Sequence, residues 1–168
     1  KVTEYTDAAN QKSYYEYDSL NRINKQYIDF GGQKIQLAKY NYGLNKAIAS
    51  IEYGNGNYGI YNYDGLRRLT GIIVYNKQSE ILLKHIYSYD KLNNRTGFQY
   101  FDQLLTEGGA YSYEYEQSNQ LTKVNYPNKA VFNYTYDKNG NRTYFKHAFG
   151  EVTYKDAANS DRLLEYDD

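Results

Sequence analysis

The chain has 168 residues, which is long enough for one domain with a hydrophobic core. Twenty Lys and Arg residues balance twenty Asp and Glu residues, which argues against a nucleic-acid or anionic-membrane partner because both usually need an excess of basic residues. The absence of Cys excludes disulfides, thiol catalysis and thiolate metal sites.

The first clear pattern along the chain is a pair of alternating tyrosines followed by an aspartate and a turn. Tyr15 and Tyr17 are two residues apart, so their rings lie on one face of a predicted strand, and Asp18 follows directly. A short carboxylate at this place accepts hydrogen bonds from backbone N–H groups two or three residues on, which favours a turn. Arg22 then begins a strand that runs back. We call this unit a corner.

The corner recurs along the chain. Its copies are Tyr15–Ile23, Tyr40–Gly43, Tyr61–Gly71, Tyr87–Gly97, Tyr113–Glu116 and Asn133–Thr143. Gly43 and Glu116 replace the aspartate in the two weaker copies. The second tyrosines are residues 17, 42, 63, 89, 115 and 136, so the steps are 25, 21, 26, 26 and 21 residues. A near-constant period of this length is the signature of a repeat architecture.

The corner residues are assigned a structural role, because a catalytic site is needed once whereas these residues recur wherever a turn is needed. The aspartate would cap the turn, the arginine would pack over a tyrosine ring, and Gly140 would supply a positive φ. The assigned residues are Tyr17, Asp18, Arg22, Tyr63, Asp64, Arg68, Tyr89, Asp90, Arg95, Tyr136, Asp137, Gly140 and Arg142.

Between the corners, β-branched and aromatic residues predict return strands. These strands are predicted at Arg22–Phe30, Leu69–Tyr75, Thr96–Phe101 and Leu121–Tyr126. Each is expected to end in a second type of turn, with candidates at Gly31-Gly32, Gly54–Asn57, Asn76–Ser79, Glu107–Gly109, Pro127–Lys129 and Phe149-Gly150. Turns with one extra residue are predicted at Tyr5–Asn10 and Tyr154–Asn159.

One repeat is thus two strands and two turns. Six repeats of 21 to 26 residues predict an all-β antiparallel meander of about a dozen strands in one repeat region, residues 1–168. Lys39–Ile51 comes closest to an amphipathic helix, but its apolar stripe does not last for three turns.

The tyrosines form ladders on one face of the predicted strands. Tyr111, Tyr113 and Tyr115, for example, face away from Ser112 and Glu114. Such rings can form the core of the sheet, which is the preferred interpretation. The alternative is an extracellular carbohydrate- or cell-wall-binding module, because rows of exposed aromatic rings can stack against sugars.

Other candidates for chemistry are weak, and no cofactor or metal is expected. His85 and His147 are the only imidazoles, and a zinc site would need carboxylates to complete its ligands. Glu114 and Glu116 point the same way on one strand, and neither they nor Asp167 and Asp168 lie in a recognisable cleft. No phosphate-binding or nucleophile motif is present. The chain is therefore predicted not to be an enzyme.

The Y-x-Y-D corner with its following Arg resembles the tyrosine–aspartate (YD) repeat of the RHS family, over nearly the whole chain. Similar repeats occur in bacterial polymorphic toxins, insecticidal toxin-complex subunits, wall-associated proteins and teneurins. The resemblance implies a curved open strip of sheet that is part of a hollow shell, which in bacterial members encloses a C-terminal toxin. No match to the proline-rich segment that often closes the shell is found, so the toxin is expected outside this sequence.

The resemblance also implies partners and a location. The chain begins and ends within the repeat pattern and is expected to be a fragment of a longer protein. Its expected partners are neighbouring repeats and the enclosed toxin domain, with a glycan as the alternative. The parent is expected to be secreted or on the bacterial surface, and no apolar run predicts membrane insertion. The isolated fragment is expected to self-associate, because the edge strands at Val2–Tyr5 and Arg162–Tyr166 would be uncovered.

Overall fold

The computed structural model describes residues 1–147, 150–156 and 163–167. Within these ranges the chain forms strands and no helix, and hence no helix that could cross a bilayer. The strands are β1 (Glu4–Thr6), β2 (Lys12–Tyr17), β3 (Ile23–Phe30), β4 (Gln33–Tyr42), β5 (Ile48–Tyr53), β6 (Tyr58–Tyr63), β7 (Leu69–Tyr75), β8 (Ile81–Tyr89), β9 (Arg95–Asp102), β10 (Glu107–Tyr115), β11 (Leu121–Asn125), β12 (Val131–Tyr136), β13 (Arg142–His147), β14 (Gly150–Asp156) and β15 (Leu163–Asp167).

The strands form an open antiparallel sheet in which each strand is hydrogen-bonded to its neighbours in chain order. This confirms the predicted all-β meander of hairpins. The chain divides into two compact units, the first comprising Lys1–His85 and Phe101–Glu107, the second comprising Ile86–Tyr100 and Gly108–Asp168. In a meander, alternate turns lie at opposite ends of the strands. We call the end that carries the Tyr-Asp corners the corner edge, and the opposite end the far edge.

The predicted return strands are confirmed to within one or two residues. The segment Lys39–Ile51 holds the end of β4 and the start of β5, so it is not helical. The turn predicted at Glu107–Gly109 is wrong, because Glu107 begins β10 and the turn lies just before it. Of the turn predicted at Phe149-Gly150, Phe149 falls outside the described residues and Gly150 begins β14. The end of the turn predicted at Tyr154–Asn159 and the edge residue Arg162 also fall outside the described residues.

The two faces of the sheet differ in chemistry. In the first unit, Tyr40 lies opposite Ile51 on the aromatic face. On the other face, Lys39 lies opposite Glu52, with their charged atoms 2.9 Å apart. The second unit repeats this arrangement, since Tyr134 stacks on Phe145 with ring centroids 5.1 Å apart while cross-strand ion pairs occupy the polar face. Cross-strand pairs of both kinds stabilise a sheet.

The aromatic face is only half-buried, since no second layer of secondary structure is described. Ala38 and Val124 are the only buried apolar side chains among the described residues. The motif tyrosines are neither fully buried, as a closed core would require, nor fully exposed. Side-chain packing within one layer therefore supplies the hydrophobic contacts.

Candidate functional site

Each corner contains the same five-residue turn. In the first copy, the N–H of Asp18 donates to the carbonyl of Arg22 over 2.9 Å, and the N–H of Asn21 donates to the carbonyl of Asp18 over 3.0 Å. Asn21, the fourth residue of the turn, has φ +65°. The same position has positive φ in the other copies, where it is Lys46, Arg67, Asn93, Asn119 or Gly140. Asn tolerates this conformation better than most residues, and Gly has no Cβ that opposes it.

The aspartate side chain closes the turn from the inside. Asp64 Oδ1 accepts hydrogen bonds from the backbone N–H groups of Leu66 and Arg68, at 2.9 and 3.0 Å. The first, third and fourth aspartates of the motif, Asp18, Asp90 and Asp137, make the same pair of bonds. The aspartate thus satisfies two backbone donors that the turn leaves free.

The second carboxylate oxygen binds the fifth residue of the turn, and this residue is of two kinds. Arg22 reaches Asp18 Oδ2 through Nε and Nη2, at 2.8 and 2.7 Å, and Arg68 reaches Asp64 at 2.7 Å. In the Asp90 and Asp137 corners the fifth residue is asparagine, whose Nδ2 donates to the same oxygen: Asn94 to Asp90 at 3.0 Å and Asn141 to Asp137 at 3.1 Å. There the predicted arginines, Arg95 and Arg142, are one residue further on.

Arginines at the fifth position of the turn and arginines one residue further on both pack over aromatic rings. The Arg22 guanidinium lies 4.0 Å from the centroid of Tyr42, in the next hairpin. Arg95 lies 5.1 Å from the ring of Tyr113, again in the next hairpin, and Arg142 lies 5.4 Å from that of Tyr134. These distances suit cation–π attraction.

The second tyrosine ends its strand after a β-bulge in five of the motifs, and its hydroxyl often reaches the preceding corner. The cross-strand register shifts immediately before Tyr17, Tyr63 and Tyr136, with one extra residue on the return strand. Tyr136 Oη donates to the carbonyl of Leu121, just beyond the preceding corner, over 2.8 Å, and Tyr17 Oη donates to the carbonyl of Val2, before β1, over 2.6 Å. Two further bonds follow the same rule: Tyr42 to Ile23 at 2.7 Å and Tyr115 to Arg95 at 2.9 Å.

In three of these bonds the accepting carbonyl has the same position relative to its corner. Ile23, Arg95 and Leu121 each lie five residues after the first residue of their corner turn. The hydroxyl of one hairpin is therefore bound to the carbonyl just beyond the corner of the hairpin before it. Tyr63 and Tyr89 occupy the equivalent strand ends, at the close of β6 and β8.

The turn persists where the aspartate is missing. Gly43 keeps both backbone bonds, and Asn45 Oδ1 accepts from the N–H of Ala47 over 3.1 Å. Glu116 also keeps both backbone bonds, and Ser118 Oγ donates to its carboxylate. The aspartate therefore reinforces a turn that the backbone can form without it.

The prediction of a second type of turn at the far edge is wrong for most turns. Tyr53–Asn57, Asn76–Glu80 and Tyr126–Ala130 have the corner's two backbone bonds and a positive φ at the fourth residue. Asp7–Gln11 has them as well, so the turn predicted there with an extra residue is an ordinary copy. The two-residue turn through Gly31 and Gly32, at φ +61° and +81°, differs from the corner, as predicted.

The turn contacts lower the pKa of the motif carboxyls. Backbone donation from Arg22, opposed by partial desolvation, lowers the pKa of Asp18 below its ordinary value, and Arg68 acts in the same way on Asp64. The N–H of Asn141 lowers the pKa of Asp137. These carboxylates are ionised acceptors at neutral pH. In the described ranges, no three His, Asp or Glu side chains come together as metal ligands.

Comparison with known proteins gives matches in structure alone. No protein-family model and no curated protein matches the sequence. A solved structure of the Photorhabdus luminescens Tc holotoxin pore with a TccC3 mutation is similar over 98% of this chain, with a TM-score of 0.84 and 19% identity. TcdB2-TccC3 is similar over 96% with a TM-score of 0.83 and 19% identity, and TcdB2-TccC3 without the hypervariable C-terminal region over 96%, with 0.84 and 18%.

The matched chains are much longer than this one, which covers 9% to 10% of their length. The match extends across the whole repeat pattern, whereas identity stays below a fifth. The fold is therefore shared although most side chains differ. The chain has an RHS-repeat-like fold.

Proposed function

We propose that this chain is a non-enzymatic structural repeat region, one strip of a β-shell that encloses a toxin domain in a secreted or surface bacterial RHS-type protein. The observation that carries this proposal is the hydrogen bond from each of several tyrosines to the preceding corner, as from Tyr42 to Ile23. Because each such bond joins a hairpin to the one before it in the same way, the contacts can continue from repeat to repeat, as the wall of a shell requires. Residues 1–168 form a single repeat region of a longer protein in this proposal.

The chemistry of the corner supports a structural role. The carboxylate of Asp64 has three hydrogen-bonded partners in its own turn, two backbone N–H groups and Arg68 Nε. A carboxylate so engaged is a poor general base, because protonation would break the contacts that hold it. The thirteen corner residues named from the sequence are proposed to act in this way, as parts of turns.

Similarity to Tc toxin structures supports the wider setting. The partners proposed are adjacent repeats of the parent protein and an enclosed toxin domain, and the location proposed is secreted or on the bacterial surface. Limited proteolysis of the natural full-length gene product tests this. A C-terminal segment should resist protease while the sheet is folded and become sensitive when it is unfolded. Equal digestion of that segment in both states would refute the enclosure.

A glycan-binding module is the second candidate, favoured by the half-exposed rings of the aromatic face. Isothermal titration with soluble cell-wall fragments separates the two functions. The shell strip predicts no saturable binding. Micromolar binding lost on a single Tyr→Ala change in a folded variant would favour the module instead.

The isolated chain is also proposed to self-associate, by strand addition at exposed edges or by stacking of aromatic faces, with an interface of at least roughly 1,000 Å². β1 offers one such edge, a three-residue strand with exposed side chains. Light scattering over a concentration series should show growth in mass. A strictly monomeric chain at hundreds of micromolar would contradict this proposal.

A further inference from the structure

The corner edge of the first unit carries a row of leucines that project into solvent. Leu20 is 61% exposed, Leu44 is 107% exposed and Leu66 is 66% exposed. They occupy three successive corner turns, and turns on the same edge are two strands, or roughly 9–10 Å, apart. Large apolar side chains in a regular row are unusual on a soluble surface.

The turns do not require these leucines. Leu20 and Leu66 contribute only a backbone N–H, which donates to the aspartate of the same turn. Any residue other than proline could supply that donor, as Asn139 does in the last corner. Their side chains are thus available for a partner.

The same edge has unpaired positive charge. Arg22 and Arg68 are neutralised by Asp18 and Asp64. Lys46 and Arg67 are exposed and make no ion pair within the described part of the chain. Both have positive φ, at 66° and 64°, a conformation that costs of order 1 kcal/mol or more for residues other than Gly. Strained cations thus stand beside the exposed leucines.

The far edge of this unit has complementary features. Its turns expose Phe30 (77%), Leu104 (92%) and Leu105 (62%). Its charged residues are mainly acidic: Asp7, Asp29, Glu80, Asp102 and Glu107 against Lys12, Lys34 and Lys77. Apolar side chains and opposite charge therefore lie at the two ends of the same strands.

We propose that the corner edge of one chain docks on the far edge of a second copy. The equal spacing of turns on both edges lets the leucines of one copy lie between turns of the other, with Lys46 and Arg67 facing carboxylates. Because the two surfaces differ, the contact is heterologous and leaves a free edge of each kind. Assembly is then open-ended, with sheets side by side, and it differs from strand addition and from stacking of aromatic faces.

Two complementary charge variants test this mode on the full 168-residue chain. The first is Lys46→Asp with Arg67→Asp, and the second is Glu80→Lys with Glu107→Lys. All four residues are exposed, and Asp adopts positive φ more readily than Lys or Arg, so circular dichroism should show unchanged folding. Sedimentation velocity over a concentration series measures the onset of association.

Each variant alone should need a concentration at least roughly tenfold higher to associate, because like charges would face each other across the contact. An equimolar mixture should recover the original onset, since the acidic corner edge of the first then faces the basic far edge of the second. Strand addition and aromatic stacking predict no such recovery. If the variants associate like the unaltered chain, or if the mixture associates no better than its components, the edge contact is refuted.

The apolar part of the contact is tested by Leu44→Ser, with Tyr5→Ser as the control. Tyr5 is 56% exposed on the edge strand β1 and lies in no turn. Leu44→Ser should raise the onset concentration roughly tenfold, the factor expected from losing burial of one leucine side chain. Tyr5→Ser should leave it unchanged. Equal effects of the two substitutions would contradict docking through the corner edge.

Discussion

The fourth residue of the corner turn shows how one backbone angle constrains the sequence. Gly140 has φ +90°, and a Cβ at this position would lie 3.0 Å from Gln120 Nε2, the movable end of a side chain. Strain in φ is therefore the main cost of substitution there.

Gly140→Val should lower the free energy of unfolding by about 1 kcal/mol or more, because a β-branched residue resists positive φ. Gly140→Asn is the matched control and should cost clearly less, since Asn21, Asn93 and Asn119 occupy this position in other corners. Urea titrations followed by circular dichroism measure both. Equal losses would mean that space rather than φ limits the site.

The lowered pKa values of the motif carboxyls predict that the free energy of unfolding decreases at low pH. The folded-state pKa values of Asp18, Asp64 and Asp137 lie below the ordinary 3.8, so the unfolded chain takes up protons first as the pH falls. Their stabilisation should be constant above about pH 5 and be lost as the pH falls below 4. Denaturant midpoints at successive pH values measure this loss.

Asp137→Ala should lower the midpoint at pH 7 and weaken its fall in acid. Asp137→Asn retains the Oδ1 acceptor for the backbone N–H groups of Asn139 and Asn141 and should lower the neutral midpoint less. If Asp137→Ala has the same acid profile as the unaltered chain, this carboxyl does not contribute to the acid response.

At the scale of the hairpin, the fifth residue of the turn performs two tasks that the chain sometimes divides. Arg22 both binds Asp18 and covers the ring of Tyr42. In the Asp90 corner, Asn94 takes the first task and Arg95 covers Tyr113. In both corners an arginine–tyrosine contact therefore joins the hairpin to the next one, whichever position supplies the arginine.

Arg22→Asn should separate the two tasks. The amide should still bind Asp18, as Asn94 and Asn141 bind their aspartates, but Tyr42 should lose its cover at a cost of roughly 0.5–1 kcal/mol. The same substitution made on a Tyr42→Leu background should cost less. A full cost on that background would show that the ring contact contributes nothing.

Tyr42→Phe tests the hydrogen bond between hairpins. Losing the Oη donor to the Ile23 carbonyl should cost about 1 kcal/mol. Tyr15→Phe is the control, because the Tyr15 hydroxyl makes no hydrogen bond to the residues that the structure describes. Thermal melts of the two variants should differ, and coincident melts would remove the bond from the account of how repeats are joined.

For the whole molecule, tyrosine ionisation should limit stability in alkali. Desolvation raises the pKa of Tyr61 from 10.0 to about 12, and burial also raises the pKa values of Tyr42, Tyr113 and Tyr134. The unfolded chain ionises first, so the stabilisation present below pH 10 should be lost between about pH 10 and 12.

Absorbance at the tyrosinate band, recorded with circular dichroism, measures this transition. The folded chain should titrate at higher pH than the chain in urea, with loss of β signal over the same interval. Tyr61→Phe should remove part of the difference. Identical titrations in the two solvents would contradict the burial of these rings.

Much of the fold could be predicted, because period and alternation are local properties of the sequence. The spacing of Tyr61 and Tyr63 before Asp64 indicates strand, face and turn at once. What the pattern missed depends on geometry between strands. The bulge before the second tyrosine and the hydrogen bond from the Tyr42 hydroxyl to the Ile23 carbonyl leave no local signal in the sequence. Only the constant position of the accepting residue, five residues after the start of its corner turn, can be found in the sequence afterwards.

The far-edge turns differ from the prediction for another reason. Asn76 closes its turn with Oδ1, which accepts from the N–H groups of Gln78 and Glu80, just as Asp64 does in its corner. Asn55 and Asn128 each accept one bond in their turns. No Tyr-x-Tyr precedes these turns, so their sequences differ from those of the corners. The backbone conformation of the turn is nevertheless the same at both edges.

The constant length of the corner turn and the unequal lengths of the repeats indicate where residues can be inserted or deleted. Every corner turn has five residues, so the differences among steps of 21, 25 and 26 residues arise in the strands and in the far-edge turns. The hairpin of β3 and β4, with strands of eight and ten residues, reaches further than that of β5 and β6, with six each. Residues gained or lost in the hairpin turns at the far edge leave every hydrogen bond between a tyrosine hydroxyl and a corner carbonyl in place. Insertions and deletions should therefore accumulate along one margin of the sheet during evolution, while the opposite margin keeps its length.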